Sequence, residues 1–418
     1  MTTEEIYKLY SKHYLVDTDT RSIRKNTLFF ALKGDNFNGN KFAEEAIKKG
    51  ANFSIVDEKE YQTNKKIILV DNVLKCLQDL AKHHRKALNI PILSLTGSNG
   101  KTTTKELINT VLSQKFNTTA TKGNLNNHIG VPLTLLSMTN KTAFGIVEMG
   151  ANHLKEIEFL CSIAQPNFGY ITNFGKAHLE GFGNLDGVIK AKSELYNFLK
   201  STNGKVFVNQ DDETQLKQSE GIHTIPFGKS LTFLEANPFV KLSYKNIEIN
   251  SQLIGAYNYT NVAAAITIGG YFEIDKFKIK NAVENYTSTN NRSQIVEKED
   301  VKIILDAYNA NPSSMKVALE NFDSLSDSSK IVVLGDMFEL GNSALEEHQI
   351  IADICEKIDL KSVYLIGETF SKTSTKKASK YECFDDFIKN IDSSTFKNST
   401  LLIKGSRGMS LERLLDYL

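Results

Sequence analysis

The chain has 418 residues, 41% of them hydrophobic and 24% charged, with 50 basic side chains against 49 acidic ones. That length predicts two to four domains with ordinary cores, and the near-zero net charge excludes the broad basic field of a nucleic-acid-binding or anionic-membrane-binding protein. The polar start Met1-Thr2-Thr3-Glu4-Glu5 is no signal peptide, no apolar run approaches the ~20 residues of a membrane span, and Cys76, Cys161, Cys355 and Cys383 form no CxxC pair.

The chain is therefore expected to be cytoplasmic, without nucleic-acid partners or membrane insertion, each cysteine acting as a small buried or half-buried apolar group. From the N-terminus, short apolar runs at 27–32, 53–56 and 67–70 alternate with loops rich in Asn and Gly, and a helical pattern over 73–88 leads to Pro91. A second part opens with the apolar run 92–95. Strand-like runs recur at 144–148, 169–172 and 205–208, with helical patterns over 103–112 and 188–199 between them. Strand and helix in alternation predict parallel βαβ units. A third part repeats the pattern, with strands expected at 302–305, 331–334, 362–366 and 400–403, several running into Gly or Asp before a helix. Such sheets carry their sites at the carboxyl ends of the strands. The Ser/Lys-rich stretch 371–380 is expected to be a solvated surface segment. The boundaries predicted are 1–89, 90–291 and 292–418, an α/β protein of three domains.

The sharpest motif is Thr96-Gly97-Ser98-Asn99-Gly100-Lys101-Thr102-Thr103-Thr104. Glycines let backbone N–H groups surround phosphate oxygens, the following helix points its positive end at the same anion, Lys101 would neutralise phosphate charge and the Thr102 hydroxyl would ligate Mg²⁺. The general phosphate-loop pattern is broken at its first glycine, where Leu95 stands. Glu148, at the end of the run 144–148, can hold Mg²⁺ beside the loop, and His178, in Thr172-Asn173-Phe174-Gly175-Lys176-Ala177-His178-Leu179-Glu180, is a candidate metal ligand. Lys190-Ala191-Lys192-Ser193-Glu194, taken alone, reads as a solvated helix face.

In this order the segments 96–104, 148–153, 172–180 and 191–194 resemble the Mur ligase family. Asp306-Ala307-Tyr308-Asn309-Ala310-Asn311-Pro312-Ser313-Ser314-Met315, Leu334-Gly335-Asp336-Met337-Phe338-Glu339-Leu340-Gly341 with His348, Lys404-Gly405-Ser406-Arg407-Gly408-Met409 and Asn124–Thr134 resemble members that join D-alanyl-D-alanine to UDP-N-acetylmuramoyl-tripeptide. The resemblance implies a small N-terminal α/β domain for the UDP end, a central phosphate-loop domain with a parallel sheet for ATP, and a C-terminal Rossmann-like domain. It implies an ATP-dependent amide ligase that works through an acyl phosphate, acts as a monomer and uses two Mg²⁺ ions. Thr102, Glu148 and His178 would hold the ions with Lys192, which is carbamylated in the family. It assigns the catalytic parts to Lys101, His178 and Lys192. The nucleotide would meet Gly97, Ser98, Asn99, Gly100, Lys101, Thr102, Thr103, Asn258, Asn261, Arg292 and Asp306. The other substrates would meet Thr20, Arg21, Asn126, Asn127, Asn309 and Asn311. Tyr257 stands where the family usually has His. Two alternatives stay open, a related ligase such as one that polyglutamylates folate, and a simple phosphate-loop NTPase.

Overall fold

The structure is a computed structural model that describes residues 1–228 and 231–418. The first domain carries four parallel strands in the order Val16–Asp17, Leu28–Phe30, Phe53–Val56 and Ile67–Leu69. Its opening helix, Thr3–Tyr10, starts from a capping box in which Thr2 and Glu5 satisfy each other's backbone N–H. The helix Val73–Leu88 is capped by Asn72 and closed by Asn89 in the left-handed conformation. It buries Val73, Leu77, Leu80 and Ala81 in a core shared with the second domain. Arg85 extends from it to the carbonyl of Ala164 at 2.9 Å and to Asn167 Oδ1 at 2.9 Å, tying the two domains together.

The second domain is built on six parallel strands in the order His223–Phe227, Lys205–Asn209, Phe168–Ile171, Ile92–Thr96, Phe144–Glu148 and Thr118–Ala120. The chain enters at the central strand, Ile92–Thr96, and later strands add on both sides. The strand order therefore reverses there, and a crevice opens beyond the carboxyl ends. The phosphate loop, Glu148 and the segment 172–178 all leave the sheet at that edge. An antiparallel sheet of Leu231–Ala236, Phe239–Tyr244 and Ile247–Ile254 was not anticipated. Its middle strand buries Val240, Leu242 and Tyr244 alternately, and Lys245 and Asn246, both at positive φ, form its tight turn without a glycine to signal it.

The third domain has strands in the order Gln294–Lys298, Val301–Asp306, Ser399–Lys404, Lys330–Gly335, Ser362–Ile366 and Ala378–Tyr381, parallel except for the first pair. The last strand corrects the reading of 371–380 as a plain solvated segment: its C-terminal end pairs with Ser362–Ile366, and Thr373 is buried. The cysteine expectation also needs correction, since Cys383 is exposed while Cys161 and Cys355 are buried and Cys76 is half-buried. Among the described residues no helix is long and apolar enough to cross a membrane.

Asp336, 5% exposed, holds the third domain's loops together. Its carboxylate accepts the N–H groups of Thr369 and Phe370, each at 2.9 Å. His348 lies 3.4 Å away, with its Nε2 also close to the Met337 N–H and its Nδ1 facing the Ala344 carbonyl. Burial pushes the Asp336 carboxyl up, but the adjacent His348 together with the Thr369 and Phe370 N–H groups outweighs it, so the group lies below its ordinary value. Asp336→Asn sets an NH₂ group against one of those donors and is expected to cost about 1–3 kcal/mol in urea unfolding. The wild-type contribution should be complete above the ordinary carboxylate value and should fade as pH falls through the lowered native one. A Tm difference between wild type and variant that shrinks only at acid pH checks this.

Candidate active site

The helix Lys101–Leu112 begins at Gly100, in the left-handed conformation, with no side chain capping it. The first-turn N–H groups at Lys101, Thr102 and Thr103 therefore face the cleft as an anion site. Only glycine fits the loop: at Gly97, φ +147°, a Cβ would stand 1.9 Å from Thr172 Oγ1, and at Gly100, φ +76°, 2.7 Å from Asn261 Oδ1. The loop is braced from the neighbouring strand end. Ser98 Oγ donates to the Gly175 carbonyl and accepts its N–H, while Thr172 and Asn173 side chains hold the Asn99 backbone. Lys101 Nζ donates to the Gly97 carbonyl at 2.7 Å. Burial brings Lys101 down to about 8, opposed by Glu148 and reinforced by Arg292.

Glu148 is 1% exposed. Its Oε1 accepts the Asn126 amide at 2.8 Å and lies 3.4 Å from Thr102 Oγ1, while its Oε2 is buried without a partner. An orphaned buried carboxylate oxygen is costly unless a cation completes it. Among the described residues no group of three or more His, Cys, Asp or Glu side chains converges. Glu148 and Thr102 thus fit Mg²⁺, which takes one or two protein oxygens and fills its shell with water and phosphate.

Lys192 is fully buried in the helix Leu185–Ser201, which corrects its reading as a solvated charge; Lys190 is the exposed one. Its Nζ donates to the Ala151 carbonyl at 3.2 Å and lies over the Phe182 ring. Burial, with Lys101 adding to it and Glu156 and Glu194 opposing, brings the amine down to about 7. Glu194 accepts the N–H groups of Lys155 and Glu158 and so caps the helix Glu156–Ala164. His178, at φ +52°, sets its Nδ1 2.5 Å from Glu339 Oε2 of the third domain.

The third domain closes the cleft. Asn311 caps the helix Pro312–Ser324 and donates across the domain boundary to Asn99 Oδ1 at 2.8 Å. Lys176 pairs with Glu347 at 2.6 Å, and its N–H reaches Ser313. Asp306 accepts Lys404 Nζ at 2.5 Å and the Ser293 N–H. The Arg292 guanidinium stacks 3.9 Å from the Tyr308 ring centre. Asn258 and Asn261 bond each other and, through Thr104, the helix behind the phosphate loop. Tyr257, in place of the family's usual His, donates or accepts at Ser293 Oγ, 2.7 Å away.

Many of these residues line a cleft of about 1380 Å³ that all three domains contribute to. Such a volume exceeds the few hundred to ~1000 Å³ typical of one small ligand. Ser98, Asn99, Gly100, Lys101, Thr102, Thr103, Asn126, Asn127, Glu148, His178, Asn258, Asn261, Arg292, Asp306, Asn309 and Asn311 all line it. Lys192 lies beneath its wall at Ala151, and Gly97 does not line it but accepts Lys101 Nζ through its carbonyl. Thr20 and Arg21 do not line it: they sit in the exposed turn Thr20–Ser22, where Arg21 pairs with Asp19. Asn127 spends its side chain on the N–H groups of Ile129 and Gly130, and Asn309 on that of Ala310. Sequence reasoning assigned no role to Lys404, Tyr308, Glu339, Phe338 or Arg407, all on the cleft wall; their signal was membership of the same third-domain segments.

A phosphate loop facing a Rossmann-like domain across a three-domain cleft defines a class of nucleotide-dependent ligases, and the chain belongs to the Mur ligase family. Family models match at 12–85 (Mur ligase family, catalytic domain), 95–269 (Mur ligase middle domain) and 291–407 (Mur ligase, glutamate ligase domain). It is 34% identical to the UDP-N-acetylmuramoyl-tripeptide–D-alanyl-D-alanine ligase of Bacillus subtilis, over 96% of this chain and 92% of that one. A crystal structure of MurF from Acinetobacter baumannii superposes with a TM-score of 0.85 at 28% identity, covering 96% of this chain and 92% of that one. MurF ligase from Thermotoga maritima in complex with ADP superposes with a TM-score of 0.82 at 25% identity, covering 96% of each chain. A folylpolyglutamate synthase from Mycobacterium tuberculosis, at 12% identity, shares the fold.

Proposed function

We propose that this chain is an ATP-dependent ligase that adds D-alanyl-D-alanine to UDP-N-acetylmuramoyl-tripeptide in peptidoglycan precursor synthesis. The observation that carries this reading is the single cleft in which an anion-binding loop, an orphaned Glu148 oxygen and third-domain side chains meet. Relatives that match 96% of the chain carry that activity in their names. The folate-ligase and plain-NTPase alternatives are less favoured. The former rests on fold alone, and the latter has no use for a third domain latched to the phosphate loop.

The tripeptide's carboxylate attacks the γ-phosphorus of ATP, giving an acyl phosphate and ADP. The dipeptide's amine then attacks the acyl carbon, and the tetrahedral intermediate expels phosphate and leaves the amide. The protein positions the reactants and neutralises their charge. Lys101 and the first-turn N–H groups bind the phosphates, and Arg292 adds positive charge beside them. Asn258, Asn261 and Asp306 border the nucleoside. Thr102 and Glu148 would hold one Mg²⁺, and His178 a second. Bound metal supplies charge neutralisation between phosphate and carboxylate. Lys192, an amine near neutrality with no acid in contact, suits reaction with CO₂ to a carbamate with loss of a proton, which would turn it into a carboxylate able to help hold a metal. Asn126 and Asn309 border the acyl acceptor side. We assign residues 1–89 to the UDP end, 90–291 to ATP and 292–418 to closure over both. We read the enzyme as a cytoplasmic monomer, as the family resemblance implies. ADP release that requires both the UDP-tripeptide and D-alanyl-D-alanine tests the reading. ADP release indifferent to either would refute it.

A further inference from the structure

We propose that Arg407 binds the terminal carboxylate of the incoming D-alanyl-D-alanine and so selects a free dipeptide acid as the amine donor. This rests on the ligase reading above and names the acceptor's partner within the same cleft. The dipeptide is a zwitterion about 7 Å long when extended. With its amine at the acyl carbon, its carboxylate needs a cation a short way along the third-domain wall.

Five Lys and Arg side chains line the cleft among the described residues: Lys101, Lys155, Arg292, Lys404 and Arg407. Four are committed elsewhere. Lys101 lies in the phosphate loop, Arg292 is stacked on the Tyr308 ring, Lys155 pairs with Glu158 at 2.6 Å, and Lys404 is buried on Asp306. Arg407 is 58% exposed on its side chain and gives NH1 to Glu412 at 2.8 Å, while its Nε and NH2 make no hydrogen bond among the described residues. Glu412 is the more buried partner, so it orients the guanidinium and leaves a two-nitrogen edge open, the geometry that grips a carboxylate.

The surroundings suit the rest of the dipeptide. Phe338, 47% exposed, crosses Gly408, where a Cβ would stand 2.7 Å from its ring. The Phe338 N–H donates to Ser406 Oγ, which locks this aromatic surface beside Arg407. A flat apolar ring next to a cation matches two methyl groups next to a carboxylate. The next residue, Glu339, touches His178, so the platform leads from Arg407 toward the reacting end of the cleft.

The test compares D-alanyl-D-alanine with its C-terminal amide, using the full-length enzyme with ATP and UDP-tripeptide saturating. Wild type should discriminate against the amide by about 10- to 100-fold in kcat/KM, the worth of a charge-assisted hydrogen bond. Arg407→Ala should raise KM for the dipeptide by a similar factor, leave KM for ATP within about threefold, and treat acid and amide alike. Arg407→Lys should keep part of the discrimination. If Arg407→Ala fails to fold by thermal melting, Arg407→Gln carries the same comparison. A neutral variant that still rejects the amide as strongly as wild type overturns the Arg407 assignment. A wild-type enzyme that ligates some other amine and not D-alanyl-D-alanine overturns the ligase reading, and this inference with it.

Discussion

Lys101→Ala is expected to lower ATP-dependent ligation by about a thousandfold or more, the scale set by removing a preorganised charge from a phosphoryl-transfer site. The reason lies in placement. Lys101 opens an uncapped helix, its ammonium is held over the loop by the Gly97 and Ser98 carbonyls, and Arg292 adds positive charge to the same cleft. Negative charge on a transferring phosphoryl group would therefore meet a cation already in position. Losing the two loop bonds should cost only about 1 kcal/mol each in stability, so the variant should fold. Lys101→Arg should not restore activity, because a planar fork cannot take the ammonium's place between those carbonyls. ADP release near the wild-type rate with both substrates present would refute the assignment.

Lys192→Ala is expected to be nearly inactive, down about a hundred- to a thousandfold, with partial recovery in short carboxylates such as formate. A fully buried lysine with only a carbonyl and an aromatic face for company is costly as a cation. The proposed carbamate would instead be an anion within the field of Lys101, which would match its charge. Two results separate this from a structural role. Lys192→Met, which fills the same space, should melt near the wild-type temperature yet stay inactive. Labelled ¹³C-bicarbonate should give a carbamate carbon signal in wild type that is absent from Lys192→Met. A wild-type protein without that signal, or a fully active Lys192→Ala, would remove the carbamate from the mechanism.

Much of the fold was legible because its strands are continuous apolar runs. Ile92–Thr96, Phe144–Glu148 and Val301–Asp306 are buried on both faces of parallel sheets, and such strands announce themselves in sequence. The antiparallel sheet 231–254 was missed because one of its faces is solvated and its turn, Lys245-Asn246, has no glycine. The edge strand Ala378–Tyr381 was missed because it is half exposed and carries lysine.

The same division runs through the site. The sequence by itself determined the phosphate loop, Glu148 and the order of the family segments, because bond-making there depends on local spacing: two glycines, a lysine and a helix start must follow one another along the chain. Tertiary structure decided the rest. Lys192 and Lys190 are two residues apart in one helix, and only packing buries the first and leaves the second in water. Asn127, Asn309 and Asn311 look alike in sequence, and only the fold makes Asn311 the latch onto Asn99. Arg407 became an acceptor candidate by elimination among cations that different domains bring to one wall. Charge pairing and burial are properties of neighbours in space, which residue order does not specify.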